Sequence, residues 1–317
     1  MATRGLQLLA RFVASAIPLL LGVTLLGFVL MVYLGPDQTY SLLGKNPTPE
    51  QIQEVRHQLG YDRPFPVRYA EYLRQLATLD LGHSQTSGES VRGLLGHTLP
   101  VSLALLLPPF LVGHLLAIAL ALAAVARRGR LGDRLIMGMS VVGMSLSYVV
   151  IVIGMQTLFS SSNGLGWFPV RGWSSGGLAS YLYHEAVPAL CVTLVTLGYN
   201  TRFYRAVFAE AVDQPHVRAA RSFGAGGTNL MLNEVLRPSL GPVITQVLYS
   251  LPLIVVGGSL LIESYFGIPG VGRVTFDAIV NGDQPVLKAV VGLTAVLFLL
   301  ARLLADALQR LADPRVS

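Results

Sequence analysis

Charge is what this sequence has least of. Only 13% of its 317 residues are Asp, Glu, Lys or Arg, about half the share usual in soluble domains. That deficit excludes a charged coiled coil and a solvated, disordered chain. A single cysteine, Cys191, excludes an intrachain disulfide framework and a cysteine-rich metal centre. The histidines, His57, His83, His97, His114, His184 and His216, lack the i, i+4 pairing of a helical metal site, so no metal ligand is assigned. A phosphate-binding loop is missing as well. Gly44-Lys45 lacks the earlier glycine of G-x-x-x-x-G-K-[ST] and continues into Asn46, so backbone amides and a lysine are not arranged to hold nucleotide phosphates. Ser-x-x-Lys does not occur either, and no catalytic residue is assigned.

Apolar length is what is present. Hydrophobic residues make up 52% of the chain and the mean hydropathy is +0.58. Runs long enough to span a bilayer cover residues 12–34, 99–126, 135–159, 187–204, 240–262 and 286–304. The expectation is an all-α integral membrane protein with six transmembrane helices. Pro108, Pro109 and Pro252 fall inside these runs, where a helical bundle accommodates kinks. The first run is too long for a signal h-region, and its small residues Ala14, Ser15 and Ala16 stand at its start. An uncleaved anchor is expected.

The net charge of +6 is a matter of orientation. With both termini inside, Arg4, Arg11, Arg127, Arg128, Arg130, Arg134, Arg202, Arg205, Arg218, Arg221, Arg237, Arg302, Arg310 and Arg315 face the cytoplasm, fourteen of the 23 basic residues. The long loop between the first two spans is then outside, with Lys45, Arg56, Arg63, Arg68, Arg74 and Arg92 offset by Asp37, Glu50, Glu54, Asp62, Glu71, Asp80 and Glu89. That balance leaves no cationic face for nucleic acid. Within the loop, Thr48, Pro49 and Gln51 form a capping-box start, Gly60 a stop, and a second helix follows Pro66 with Tyr69, Tyr72, Leu73 and Leu76 on one side. A cap over the ends of the spans and a docking surface for a partner both fit this loop.

No Asp, Glu, Lys or Arg falls in the cores of the six runs. A proton or sodium carrier places such groups there, so the chain lacks an engine of its own. His114 is compatible with a proton relay or with an interhelical hydrogen bond. Tyr148, Asn200, Tyr249 and Ser250 are candidates to face a translocation cavity, although polar residues in spans also bond neighbouring helices. The loop between the fourth and fifth spans carries a short helix begun after Pro215 and stopped at Gly224, a turn at Gly226-Gly227, and a second helix through Leu230–Leu236 ending before Pro238. Ala219 and Ala220 admit a close partner, and Arg218 and Arg221 supply positive charge. A lever seated in a cytoplasmic partner and an amphipathic helix on the anionic inner leaflet are both consistent with that pattern.

Arg218-Ala219-Ala220-Arg221-Ser222-Phe223-Gly224 resembles the E-A-A-x-x-x-G loop motif of the membrane subunits of binding-protein-dependent ABC importers. Arg218 in place of the motif's glutamate, and Leu236-Arg237-Pro238-Ser239-Leu240-Gly241-Pro242 after it, are similar to the dipeptide, oligopeptide and nickel branch. Leu59-Gly60-Tyr61-Asp62-Arg63-Pro64, Leu79-Asp80-Leu81-Gly82-His83-Ser84 and Glu263-Ser264-Tyr265-Phe266-Gly267-Ile268-Pro269-Gly270-Val271-Gly272-Arg273 resemble further segments of that branch in the same order. The resemblance implies the type I ABC importer permease fold, with an anchor span and helical outer loop in residues 1–98, a permease domain in 99–308 whose coupling loop is 207–238, and a cytoplasmic tail in 309–317. It implies import of di- or oligopeptides, nickel chelates or related solutes across the bacterial cytoplasmic membrane, by a multi-pass subunit without catalysis of its own. The implied partners are a second homologous permease, one or two kinds of ABC ATPase that use ATP and Mg²⁺, an extracytoplasmic substrate-binding protein and membrane lipid. Arg218, Ala219, Ala220, Arg221 and Gly224 are the implied ATPase contact.

Overall fold

The computed structural model describes residues 2–33, 35, 39, 43, 47–58, 60–174 and 176–312, with side chains described from residue 17 to residue 309 of that set. The side chains of Arg4, Arg11, Asp37, Lys45, Leu59, Arg310 and Arg315 lie outside it, as does the tail from 313. The helices are α1 (Ala2–Tyr33), α2 (Pro49–Gln58), α3 (Phe65–Thr78), α4 (Val91–Ala126), α5 (Leu131–Ser145), α6 (Tyr148–Phe159), α7 (Leu178–Val212), α8 (Pro215–Ser222) and α9 (Gly227–Asn229). They continue with α10 (Leu240–Leu253), α11 (Ser259–Phe266), α12 (Val271–Asn281) and α13 (Gln284–Ala312). Leu230–Leu236 and Ile254–Gly258 are π-helical. No strand occurs among the described residues, only an isolated bridge between His83 and Ser90.

Four helices among the described residues are long and apolar enough to cross a bilayer: Val91–Ala126, Leu178–Val212, Leu240–Phe266 and Gln284–Gln309. Ile17–Tyr33 is the apolar part of α1 whose side chains are described. The run at 135–159, expected as one span, is a pair of helices, α5 and α6, that are apolar enough together to cross a bilayer but bent by 99° at the break between them. Ser145 and Ser147 flank the break, where the Ser145 hydroxyl bonds back to the Val141 carbonyl and Leu146 takes extended dihedrals. Serine hydroxyls that compete for backbone groups bend helices in this way. The other helices run past their apolar limits, because backbone hydrogen bonding continues where hydropathy falls.

The chain divides into two compact units, Met1–Pro100 with Gly270–Leu300, and Val101–Pro269 with Ala301–Ser317. In the first, α3 packs on α1 through aromatic rings, with Phe28 stacked on Tyr72 at 5.3 Å and tilted against Phe65 at 5.6 Å. The Tyr72 hydroxyl donates to the Lys288 carbonyl at 3.0 Å, and Tyr69 donates to Leu21 at 3.0 Å. The capping box of α2 is present: Thr48 N donates to Gln51 Oε1 at 2.9 Å and Gln51 N to Thr48 Oγ1 at 3.4 Å. Asp283 Oδ2 accepts from Ser84 Oγ at 2.6 Å and from Thr86 N at 3.2 Å, pinning the 82–90 turn to the start of α13.

The second unit has two apolar centres. One gathers Leu105, Phe110, Val152, Val187, Ile262 and Phe266; the other gathers Ala117, Ala121, Tyr204, Phe208, Val217 and Val235. Pro108 lacks the amide that would bond Ala104 O, and Tyr181 supplies the missing donor with its hydroxyl at 2.6 Å. Where α5 crosses α7, the two chains meet glycine to glycine. A Cβ added to Gly198 would stand 3.0 Å from Gly143 C and 3.1 Å from Met144 N, a backbone approach that small residues permit.

Candidate functional site

The short helix α8 is set by its ends. Pro215 occupies the first turn, where its missing amide costs nothing, and Gly224 turns the chain away with φ +89°. Val217 fixes the helix to the bundle, fully buried in the centre that holds Tyr204, Phe208 and Val235. Ala220 packs against the same centre from partial burial. Arg218, Ala219, Arg221 and Gly224 are exposed. The implied contact residues therefore sit together on one short element, with Ala220 on its inner side.

Neighbouring contacts brace this element. Arg218 Nη2 donates to the Asp213 carbonyl at 3.0 Å, and His216 Nε2 lies 3.1 Å from the Glu234 carbonyl, tying α8 to the π-helical turn. Arg128 pairs with Asp213 at 2.8 Å. Arg205 makes a two-pronged pair with Asp133, Nε to Oδ1 at 2.7 Å and Nη2 to Oδ2 at 2.8 Å. Asp133 is almost fully buried, so this bidentate pair holds the start of α5 against α7 more firmly than an exposed ion pair would. Arg221 lines a cavity of about 660 Å³ with Leu122, Ala126, Thr228 and Leu232.

Residue-type reasoning passed over Phe223, which closes α8 and is 91% exposed. A large aromatic so exposed at the tip of a pinned helix is characteristic of a contact surface. Its signal in the sequence was an aromatic on the polar side of a glycine-terminated helix.

The candidate cavity residues divide. Asn200 is buried; its Nδ2 donates to Thr196 O at 2.7 Å and its Oδ1 accepts from Gln246 Nε2 at 3.0 Å. Ser250 Oγ donates to Gln246 O at 2.7 Å and lies 3.3 Å from His114 Nε2, whose Nδ1 shares a 2.7 Å hydrogen bond with the Tyr204 hydroxyl. His114 is thus an interhelical hydrogen-bond hub. Tyr249 is 38% exposed. Tyr148 buries its hydroxyl without a hydrogen-bond partner among the described residues.

Two acids escaped the search for charge in the spans, because α7 and the α10–α11 helix extend beyond the apolar runs. Glu185 is 3% exposed with neither carboxylate oxygen hydrogen-bonded among the described residues, and Glu263 is fully buried. Gly172-Trp173-Ser174-Ser175-Gly176 also fits G-x-S-x-G. It lies in a loop with no strand before it, and Ser174 Oγ is 2.6 Å from Ser180 Oγ rather than near a base. No group of three or more His, Cys, Asp or Glu gathers among the described residues.

Comparison with known proteins places this loop in context. Residues 113–317 match the family described as binding-protein-dependent transport system inner membrane component, and residues 5–105 match the amino-terminal segment described for the same kind of membrane component. The chain belongs to this family of inner membrane components. A Brucella abortus (strain 2308) protein named as a peptide transport system permease is 32% identical over 311 residues, covering 98% of both chains. A Sinorhizobium fredii protein named as a probable peptide ABC transporter permease is 27% identical over 315 residues, covering 98% of this chain and 99% of the relative. The glutathione transport system permease protein GsiC of Salmonella typhimurium is 30% identical over 300 residues, covering 95% of both. This inner membrane component is thus an integral membrane permease of a binding-protein-dependent transport system, matched along nearly its whole length.

Proposed function

We propose that the chain is the permease subunit of an ATP-driven importer that carries di- or oligopeptides, or a related small solute, across the bacterial cytoplasmic membrane. The peptide assignment rests on the relatives named for peptides and glutathione. The observation that carries the mechanism is α8: anchored by fully buried Val217, exposed at Arg218, Ala219 and Phe223. In this reading both termini and α8 face the cytoplasm and the long loop after α1 faces outward. Two ATPase domains bind ATP and Mg²⁺, close on each other and press on α8. The bundle responds as a two-state body whose balance is shifted by differential contacts. The permease performs no bond chemistry, the solute being delivered by an extracytoplasmic binding protein into a path shared with a second permease.

The test is the complete complex in liposomes, with loaded binding protein inside or outside and ATP on the opposite side. Gly224→Pro forbids the observed φ of +89°, since proline holds φ near −65°. Solute uptake and stimulated ATP hydrolysis are expected to fall together while the subunits remain associated. Undiminished uptake and stimulation in that variant would remove α8 from the coupling route.

A further inference from the structure

The first unit contains a cavity that the transport mechanism does not use. It measures about 510 Å³ and is lined by Leu20, Leu73, Leu79, Leu95 and Leu293, with Arg92 the only charged residue in its wall. Its other polar wall group, Thr24, already spends its hydroxyl on Leu20 O at 2.6 Å and Tyr69 Oη at 3.0 Å. Water needs two to four polar partners to occupy a buried site, and this wall does not supply them. Apolar matter has to fill the space.

Arg92 indicates what kind. It is exposed, and among the described residues it has no ion-pair or hydrogen-bond partner. Glu89, the nearest acid by sequence, lies 3.5 Å from His97 instead, and Asp80 lines an adjoining cavity of about 260 Å³. Arg92 also stands seven residues before Leu99, where the apolar run of α4 begins, which at the helical rise is about 10 Å beyond the hydrocarbon edge. From there the long arginine side chain reaches back to the headgroup layer. Leu79 adds a second mark. It is the only non-glycine residue with positive φ among those described, at 55°, and it holds an apolar side chain 57% exposed at the cavity. Its left-handed conformation is the C-cap of α3, with its amide on the Gln75 and Leu76 carbonyls, and that turn leaves the leucine side chain at the cavity mouth.

We propose that this cavity is a binding site for one anionic phospholipid, an acyl chain lying between α1, α3 and α13 with its phosphate on Arg92. One cation beside an anionic lipid gives roughly a fivefold preference over a zwitterionic lipid. The test uses the complete, delipidated complex titrated with phosphatidylglycerol or phosphatidylcholine and read by native mass spectrometry. One tightly retained phosphatidylglycerol per copy of this chain is expected, with about fivefold weaker retention of phosphatidylcholine. Arg92→Gln should abolish the preference and leave residual binding of both lipids; Arg74→Gln, an exposed cation on α3 outside the cavity wall, should change nothing. Ala77→Trp fills the cavity and should lower retention of both lipids. If that variant fails to assemble, the two arginine variants decide, because neither side chain has a partner to lose. Equal retention of the two lipids by wild type, identical behaviour of the two arginine variants, or an empty cavity in the complex because another subunit fills it would each overturn the proposal.

Discussion

Removing the Phe223 ring separates a docking surface from a structural end-cap. The side chain is 91% exposed in the permease, so Phe223→Ala should change the unfolding free energy by no more than about 0.5 kcal/mol. If the same ring is buried against an ATPase, truncation forfeits nearly all of the roughly 1.5–3 kcal/mol gained by burying a phenylalanine. About 2 kcal/mol corresponds to a dissociation constant about 30-fold higher. The measurement is the ATPase concentration giving half-maximal stimulation with reconstituted permease, taken alongside thermal unfolding of the permease in detergent. Val217→Ala is the counterpart, since Val217 is fully buried. Losing two methyl groups and leaving a partial cavity should cost about 2 kcal/mol of stability, lowering the melting temperature first and coupling only as a consequence. An unchanged half-saturation concentration in Phe223→Ala, with unchanged solute moved per ATP, would refute the assignment of this face to the ATPase.

Gly198→Val would drive branched methyl groups into the backbone of Gly143 and Met144; a loss of about 1–3 kcal/mol is expected by thermal denaturation, with Gly198→Ala less severe. Arg205→Ala leaves the buried Asp133 carboxylate with only the Gly129 amide and a hydrogen-bond distance of 3.0 Å. A cost of about 1.5–3 kcal/mol should appear as faster amide exchange in 127–134 while α8 remains protected. His114→Phe strands the buried Tyr204 hydroxyl, at about 1–3 kcal/mol, and the double variant with Tyr204→Phe should recover most of the loss, so that a double-mutant cycle finds it less destabilised than the sum of the two single variants.

The parts of the fold that were legible beforehand carried local chemical signals. Thr48 and Gln51 announced the start of α2, Pro215 and Gly224 bracketed α8, and apolar length found most of the helices. What escaped needed tertiary knowledge. Hydropathy cannot see the 99° bend after Ser145, because every residue around it is compatible with a straight apolar helix. It also ends a helix where the apolar run ends, and so stopped α7 two residues short of Glu185 and the fifth span one residue short of Glu263. The α8 residues proposed as an ATPase contact came from a motif, but which side of the helix faces outward was set by Val217 finding the core of a different part of the chain. Phe223 was ambiguous for the same reason: one aromatic next to a glycine is equally a core anchor or a surface knob until its neighbours are placed.

The two glutamates bear on the rival idea of a self-powered carrier, which would need an acid that each side of the membrane can reach in turn, near mid-depth. Glu185 is the eighth residue of the 35-residue helix α7, ten residues before its midpoint, or about 15 Å along the axis. Glu263 stands three residues from the end of Leu240–Phe266, again about 15 Å from the middle. Both acids are also shut inside the protein, at 3% and 0% exposure. His114 lies about five residues from the centre of the 36-residue α4, and both of its ring nitrogens face neighbouring hydroxyls, those of Tyr204 and Ser250. A histidine so engaged is a strut in the bundle and a poor relay. On the reading proposed above, the free energy for moving solute arrives through a contact instead, and α8 with its exposed Phe223 receives it.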